Sequence, residues 1–96
     1  MANEKKIAKS QKLFLSWLEH VVEIENQLQN AEDNKKIEKL QKKLKKNKDM
    51  VVYNGKLIGQ EGGTIQSIWD QLTERQQQIV QELFPYGLAA ENLKQQ

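Results

Sequence analysis

Two apolar stripes of helical spacing that do not join constrain the fold of this 96-residue chain more than any other feature. The first stripe repeats every seven residues, at Ile7, Phe14, Val21 and Leu28. That spacing keeps the apolar side chains on one face of a helix. The next repeat falls on Lys35, which is charged. A single straight helix would carry one continuous stripe, so the break predicts two helices that fold back on each other.

The second apolar stripe starts in a new phase after the break. Its members are Ile37, Leu40, Leu44 and Val51. We predict a first helix over about 4–29, a turn near 30–34 and a second helix over about 34–48. Residues 4–49 would then form an antiparallel, coiled-coil-like helical hairpin.

The next segment carries the pattern of a β-hairpin. Asn54-Gly55 lies between two short apolar runs, 50–53 and 56–58, that contain β-branched residues. Asn-Gly in this setting favours a tight hairpin turn, because both turn residues must accept a positive φ. The glycines that follow are typical of a flexible connector. We therefore predict a short β-hairpin or an ordered loop, with a glycine linker, over residues 50–63.

The last third of the chain, residues 64–96, predicts two or three short helices. Thr64 can cap the first of them, and Thr73 with Gln76 three residues later has the pattern of a capping box. A last helix is expected near 88–93. The fold class is thus a single, mainly α domain, with an antiparallel helical hairpin, a short β-hairpin or loop and short C-terminal helices.

Catalytic chemistry has few candidate residues in this sequence. The chain contains no cysteine and one histidine, His20, with Ser16 and Glu23 about one turn away on either side. A nucleophilic triad needs groups that converge from different elements, which one helical face does not provide. Metal-ligand spacings are also lacking. The sequence predicts a non-enzymatic protein without a metal site or cofactor.

The sequence predicts no association with membranes. It lacks an apolar run long enough to span a bilayer, and its first residues do not have the pattern of a signal peptide. A cytoplasmic location is the expectation that follows.

Positive charge is concentrated in the first half of the chain. Residues 1–48 hold twelve lysines and seven acidic residues, about +5, whereas residues 49–96 hold three basic and six acidic residues, about −3. The lysine-rich second helix could bind DNA phosphates without reading sequence, because no aromatic lies among its lysines to stack on bases. A solvated helix face is the alternative. The candidate nucleic-acid-binding residues are Lys35, Lys36, Lys39, Lys42, Lys43, Lys45 and Lys46.

Our leading functional hypothesis is a regulatory or accessory protein that binds a protein partner. Aromatic residues dominate binding hot spots, and several occur late in the chain, although they could equally close the core. The candidate protein-binding residues are Trp69, Leu83, Phe84 and Tyr86. Small chains rich in lysine and glutamine and free of cysteine are typical of phage and mobile-element accessory proteins.

Helix 1 also predicts a homodimer. Its apolar face is wider than the narrow stripe of helix 2 can cover, so a second copy could complete the core. The residues expected in the dimer seam are Phe14, Trp17, Val21 and Leu28.

One segment carries a family resemblance. Leu72-Thr73-Glu74-Arg75-Gln76, with Ile79-Val80 after it, resembles the opening helix of the helix-turn-helix in LuxR-type regulators and in region 4 of sigma factors. Those openings read Leu-Thr-x-Arg-Glu, so Gln76 departs from the pattern. Gly87 also falls one position late, and the match, which covers about residues 72–93, ends before a recognition helix. The resemblance implies a transcription-related regulator that docks onto the transcription machinery.

A vaguer likeness involves the segment that also predicts the β-hairpin. Val51-Val52-Tyr53-Asn54, with Leu72-Thr73 some twenty residues later, is similar to the third and fourth helices of small bacteriocin immunity proteins of Gram-positive bacteria. The resemblance implies a helical bundle of similar size. The glycines between the two segments depart from it.

Overall fold

Residues 4–84 are described by the computed structural model, and all regular structure within them is helical. Helix α1 covers Glu4–Asn30 and helix α2 covers Asn34–Gln60. A 3₁₀ helix, Gln66–Gln71, and helix α3, Glu74–Leu83, follow. The two long helices pack against each other, which confirms the predicted helical hairpin. Each has 27 residues and is therefore about 40 Å long.

The predicted turn lies between the long helices. Asp33 has extended backbone angles, and its carboxylate accepts a hydrogen bond from the backbone N–H of Lys35 at 3.1 Å. This is the usual way in which an aspartate supplies an acceptor to the free N–H groups of a first helical turn. The Asp33 cap therefore fixes where α2 begins.

The predicted β-hairpin is wrong, because residues 50–58 lie within α2. The Asn54 side chain donates to the carbonyl of Met50, one turn earlier, at 2.8 Å, so this buried amide is satisfied inside the helix. Gly55 faces Phe84, whose ring atom Cζ would lie 2.6 Å from a Cβ at that position. Asn-Gly here serves helix packing rather than a turn, because a side chain at residue 55 would displace Phe84.

The glycines after α2 end the helix instead of forming a flexible connector. Gly62 has φ +90°, a conformation that favours glycine. Its N–H donates to the carbonyl of Gly59 at 3.1 Å, and the N–H of Gly63 donates to the carbonyl of Ile58 at 2.9 Å. These two bonds form a Schellman motif. A Cβ at Gly63 would lie 2.6 Å from Ile7 Cγ2, so the turn is packed closely against α1.

Residues 64–84, the C-terminal segment, lie across one side of the hairpin. Arg75 makes a bidentate ion pair with Glu25 of α1, with Nε–Oε1 and Nη2–Oε2 distances of 3.0 and 2.6 Å. The hydrogen bond with Glu25 raises the pKa of Arg75. At the other end of α3, the Phe84 ring centroid lies 6.2 Å from that of Phe14. Helix α3 therefore runs back along α1 in the opposite direction.

The capping box predicted at the start of α3 is confirmed. The Thr73 N–H donates to Gln76 Oε1 at 2.9 Å, and the Gln76 N–H donates to Thr73 Oγ1 at 3.2 Å. The predicted helix near 88–93 lies outside the described residues. No helix in the described range 4–84 is both long and apolar enough to cross a membrane.

The main core lies where α1, α2 and the C-terminal segment meet. Its side chains are at most 7% exposed, so each buries nearly all of its apolar surface. They are Phe14, Leu18, Val21, Val51, Ile58, Ile65, Ile68, Leu72, Ile79, Val80 and Phe84. The side of the hairpin that the C-terminal segment covers is the closed face, and the opposite side is the open face.

Candidate binding groove on the open face

The open face carries a groove between α1 and α2. The groove has a volume of about 750 Å³ and continues toward the hairpin turn into a second depression of about 280 Å³. Both are lined by His20, Lys43 and Asn47, so they form one continuous trough. The remaining lining residues are Trp17, Glu23, Ile24, Gln27, Lys46, Asp49 and Met50.

Helical spacing places this trough on a different side of α1 from the C-terminal segment. Gln11 bonds Thr64 and Ser67, and Glu25 bonds Arg75, so residues 11–25 contact the segment along one stripe. Trp17, Ile24 and their neighbours in the trough form another stripe, offset around the helix. The closed face and the groove are thus two distinct surfaces of the same pair of helices.

The floor of the groove combines apolar and amide side chains. Trp17 and Met50 are both partly exposed there, and the Trp17 ring lies 5.6 Å from the His20 ring at an angle of 59°. Asn47 is 7% exposed, and its Nδ2 donates to the Lys43 carbonyl at 2.6 Å. The backbone of α2 therefore holds the Asn47 amide in place beneath the groove.

Two exposed apolar side chains lie one turn beyond the groove lining, away from the hairpin turn. Leu13 is 42% exposed and Tyr53 is 59% exposed. Leu13 precedes Trp17 by four residues and Tyr53 follows Met50 by three, so each lies one turn along its helix. Because α1 and α2 are antiparallel, both steps lead in the same direction. These four residues, the apolar strip, form one end of the open face.

Charged side chains distinguish the two walls. The α2 wall carries Lys43 and Lys46 in the middle of the groove. Acidic groups lie at the ends, with Glu23 on α1 toward the turn and Asp49 on α2 toward the apolar strip. Within the described range, no ion pair involves any of these four residues. The formal charges of the lining balance, but the two lysines lie together in the middle of the groove, between the two carboxylates.

The titratable side chains of the groove are His20, Glu23, Lys43, Lys46 and Asp49. Within residues 4–84 no group of three or more His, Cys, Asp or Glu could hold a metal ion. His20 makes a ring contact with Trp17, and no hydrogen bond joins it to Ser16 or Glu23 in this part of the chain. The groove can bind a ligand by apolar contact with Trp17 and Met50 and by the charges of Lys43 and Lys46.

The residues predicted to bind a protein partner contribute mostly to packing. Phe84 is 3% exposed and belongs to the main core, and Trp69 and Leu83 are partly buried against that core. Tyr86 lies outside the described residues. Phe84 thus closes the core, which is the alternative role that the sequence analysis gave to the late aromatic residues.

The predicted dimer seam is split between the core and the surface. Phe14 and Val21 are completely buried within a single chain, beneath the C-terminal segment, and are not accessible to a second copy. Trp17 and Leu28 are partly buried, and Trp17 lines the groove. Dimerisation itself stays a prediction.

The candidate nucleic-acid residues are all on the surface. All seven are exposed, and the structure shows no ion pair to any of them among residues 4–84. Lys35, Lys39, Lys42 and Lys46 recur at intervals of three and four residues, which places them in one stripe along α2. Lys43 and Lys46 also line the groove.

Sequence reasoning missed the groove because it ended the second helix too early. A β-hairpin at 50–58 removes Met50 and Tyr53 from the helix and therefore from the open face. A signal was present on α1, where Trp17, Ile24 and Gln27 follow helical spacing beside the core stripe. A second stripe next to a buried one predicts a helix with two contact surfaces.

Comparison with protein-family models, with curated proteins and with solved structures gives no match for this chain.

Proposed function

We propose that the protein is a small non-enzymatic module that acts by binding a protein partner through the open-face groove. The supporting observation is that Trp17 and Met50 remain partly exposed in a trough of about 750 Å³, while the other face of the hairpin is already packed. Trp17 also packs against the main core, so part of its ring contributes to stability. The part that stays exposed in the groove, together with Met50, suits a second contact surface.

The composition of the groove favours a protein over a small metabolite. Protein interfaces combine an apolar centre, enriched in aromatic residues and methionine, with a polar and charged rim. Here Trp17 and Met50 provide the apolar contact area, and lysines and carboxylates lie beside them in the lining. Methionine adapts its shape to different partners, and tryptophan is frequent among residues that dominate binding energy.

The resemblance of residues 72–83 to a helix-turn-helix opening favours a partner in the transcription machinery. In α3, Ile79 and Val80 are completely buried in the core. This helix therefore contributes its apolar face to the fold, and the proposed contact with a partner lies on the other side of the hairpin.

Selection from a random peptide library on the immobilised protein tests the proposed site. We expect enriched peptides to lose at least about tenfold in affinity on Trp17→Ala, as at a hot spot. The matched control is Glu19→Ala, which changes an exposed residue of α1 outside the groove. Peptides that bind both variants like the wild type would contradict the proposal.

A second candidate function is sequence-independent binding of nucleic acid. It is favoured by the seven exposed lysines, none of which makes an ion pair within residues 4–84. Affinity for a DNA duplex should then fall steeply with salt, with a slope near −0.9 for each phosphate neutralised. Replacing Lys35, Lys39 and Lys42 by glutamine should flatten that slope. An unchanged slope would remove this candidate.

A further inference from the structure

We infer that the groove receives an acidic amphipathic helix of the partner protein, lying lengthwise between α1 and α2. This inference rests on the proposed function and names the element that the same groove recognises. It depends on the backbone of the groove walls, on the length of the trough and on the charges along α2.

The walls of the groove favour a helix over an extended peptide. Both walls are α-helices, whose internal N–H and C=O groups already bond each other, so a strand would find no sheet edge to pair with. A helix satisfies its own backbone and needs only side-chain contacts. The closed face of this hairpin shows the same solution, because helical elements of the C-terminal segment cover it.

The length of the trough sets the length of the partner helix. On α1 the groove extends from Trp17 to Gln27, a rise of about 15 Å. That rise corresponds to about three helical turns. The partner helix would present apolar side chains at i, i+3 or i+4 and i+7, which is the usual pattern of a helix bound in a groove.

The apolar strip fixes where the anchors of that helix lie. Trp17 and Met50 line the groove, and Leu13 and Tyr53 are exposed one turn beyond them on the same helices. The largest apolar side chains of the partner should therefore contact the end of the groove away from the hairpin turn. Toward the turn, the lining becomes polar, with Gln27 beside Ile24.

The α2 wall determines the sign of the partner's charge. Lys43 and Lys46 line the middle of the groove, and Lys39 and Lys42 are exposed on the same helix, each four residues before one of them. The carboxylates in the groove occupy its ends, as described for Glu23 and Asp49. A helix with Glu or Asp beside its apolar face meets the lysines along its middle, whereas a basic helix would meet like charge there.

Two synthetic peptides test this inference. Both peptides have about 14 residues and the same apolar face of leucine and phenylalanine, and a lactam bridge on the opposite face keeps each of them helical. They differ only beside the apolar face, where one carries glutamates and the other carries lysines. Binding is measured by anisotropy of the labelled peptide at about 150 mM salt, so that screening is physiological. We expect the glutamate peptide to bind at least about tenfold more tightly.

Variants of the protein test whether the groove is responsible for the preference for the glutamate peptide. The double variant Lys43→Glu, Lys46→Glu should reverse the order of the two peptides, and Trp17→Ala should weaken both. The matched control is Lys56→Glu, which changes an exposed lysine of α2 outside the groove and should keep the wild-type order. Circular dichroism of each variant confirms that its helices are retained.

The other outcomes separate this inference from the proposed function. Equal binding of both peptides, or preference for the lysine peptide, overturns the acidic helix and leaves the groove as the site if Trp17→Ala still weakens binding. Failure of both peptides to bind the folded protein overturns both proposals. If the protein forms a dimer that Trp17→Ala dissociates, the groove binds a second copy of the chain. If a DNA duplex displaces the glutamate peptide, the lysines bind phosphate groups of nucleic acid.

Discussion

The closed and open faces of the hairpin use the same two helices in opposite ways. On the closed face, Phe14 and Val51 are completely buried beneath the C-terminal segment. On the open face, Trp17, three residues after Phe14, and Met50, one residue before Val51, remain accessible in the groove. The two long helices therefore form the core with one face only, and their other face is available for binding.

The two faces also differ in how closely their side chains fit. The closed face includes Gly55, where only a missing side chain allows Phe84 to approach. Among residues 4–84, the lining of the open-face groove includes no glycine and carries flexible side chains such as Met50 and Lys43. Substitutions on the closed face should therefore act on stability, and those on the open face chiefly on binding.

The largest loss of stability is expected from Phe84→Ala. Phe84 is 3% exposed and contacts both Phe14 and the backbone at Gly55, so truncation leaves a cavity between α1, α2 and the C-terminal segment. We expect a loss of roughly 3–5 kcal/mol in the free energy of unfolding, measured by urea denaturation. Tyr53→Ala is the aromatic control on the open face and should change stability by less than about 0.5 kcal/mol. Equal losses would contradict the distinction between the faces.

The next largest effect is expected from Gly55→Ala. Its Cβ would lie 2.6 Å from Phe84 Cζ, and overpacking of this kind costs roughly 1–3 kcal/mol. In a Phe84→Ala background the clash is absent, and alanine should then stabilise the helix by up to about 1 kcal/mol. Urea denaturation of the wild type, the two single variants and the double variant gives the coupling energy between residues 55 and 84. A similar loss in both backgrounds would show that Phe84 is not the reason for the glycine.

A smaller loss is expected from Trp17→Ala. This side chain is only partly buried, so its removal should cost about 1–2 kcal/mol, less than Phe84→Ala although tryptophan is the larger residue. The measurement is again urea denaturation, with the two variants compared under the same conditions. A cost as large as that of Phe84→Ala would mean that Trp17 is a core residue and would weaken the argument for the groove.

The parts of this fold that the sequence predicted correctly depend on patterns within one element. Seven-residue spacing in α1, the phase break before α2 and the Thr73–Gln76 capping box all involve residues close together in the chain. The length of α1, the position of the turn and the cap of α3 follow from such local signals, whereas the predicted end of α2 was twelve residues too early.

The parts that could not be predicted depend on contacts between distant residues. Asn54-Gly55 has the local pattern of a turn, and only Phe84, 29 positions later, explains a glycine inside α2. The groove was missed for the same reason, since it requires Met50 to be helical. Likewise, nothing local to Phe14 or Val21 shows that the C-terminal segment, and not a second copy, covers them.

The smallest effect on stability is expected on the outer surface of α2. Replacing Lys35, Lys39, Lys42 and Lys46 by glutamine should change the free energy of unfolding by less than about 0.5 kcal/mol, because surface substitutions of unpaired residues have little effect. Any change should be a stabilisation at low salt, since Lys35 and Lys39, like Lys42 and Lys46, are like charges four residues apart. Denaturation at low and high salt measures this, and the difference should vanish as salt screens the repulsion. A clear loss of stability in the variant would mean that these lysines hold the hairpin together and are not free to bind a partner.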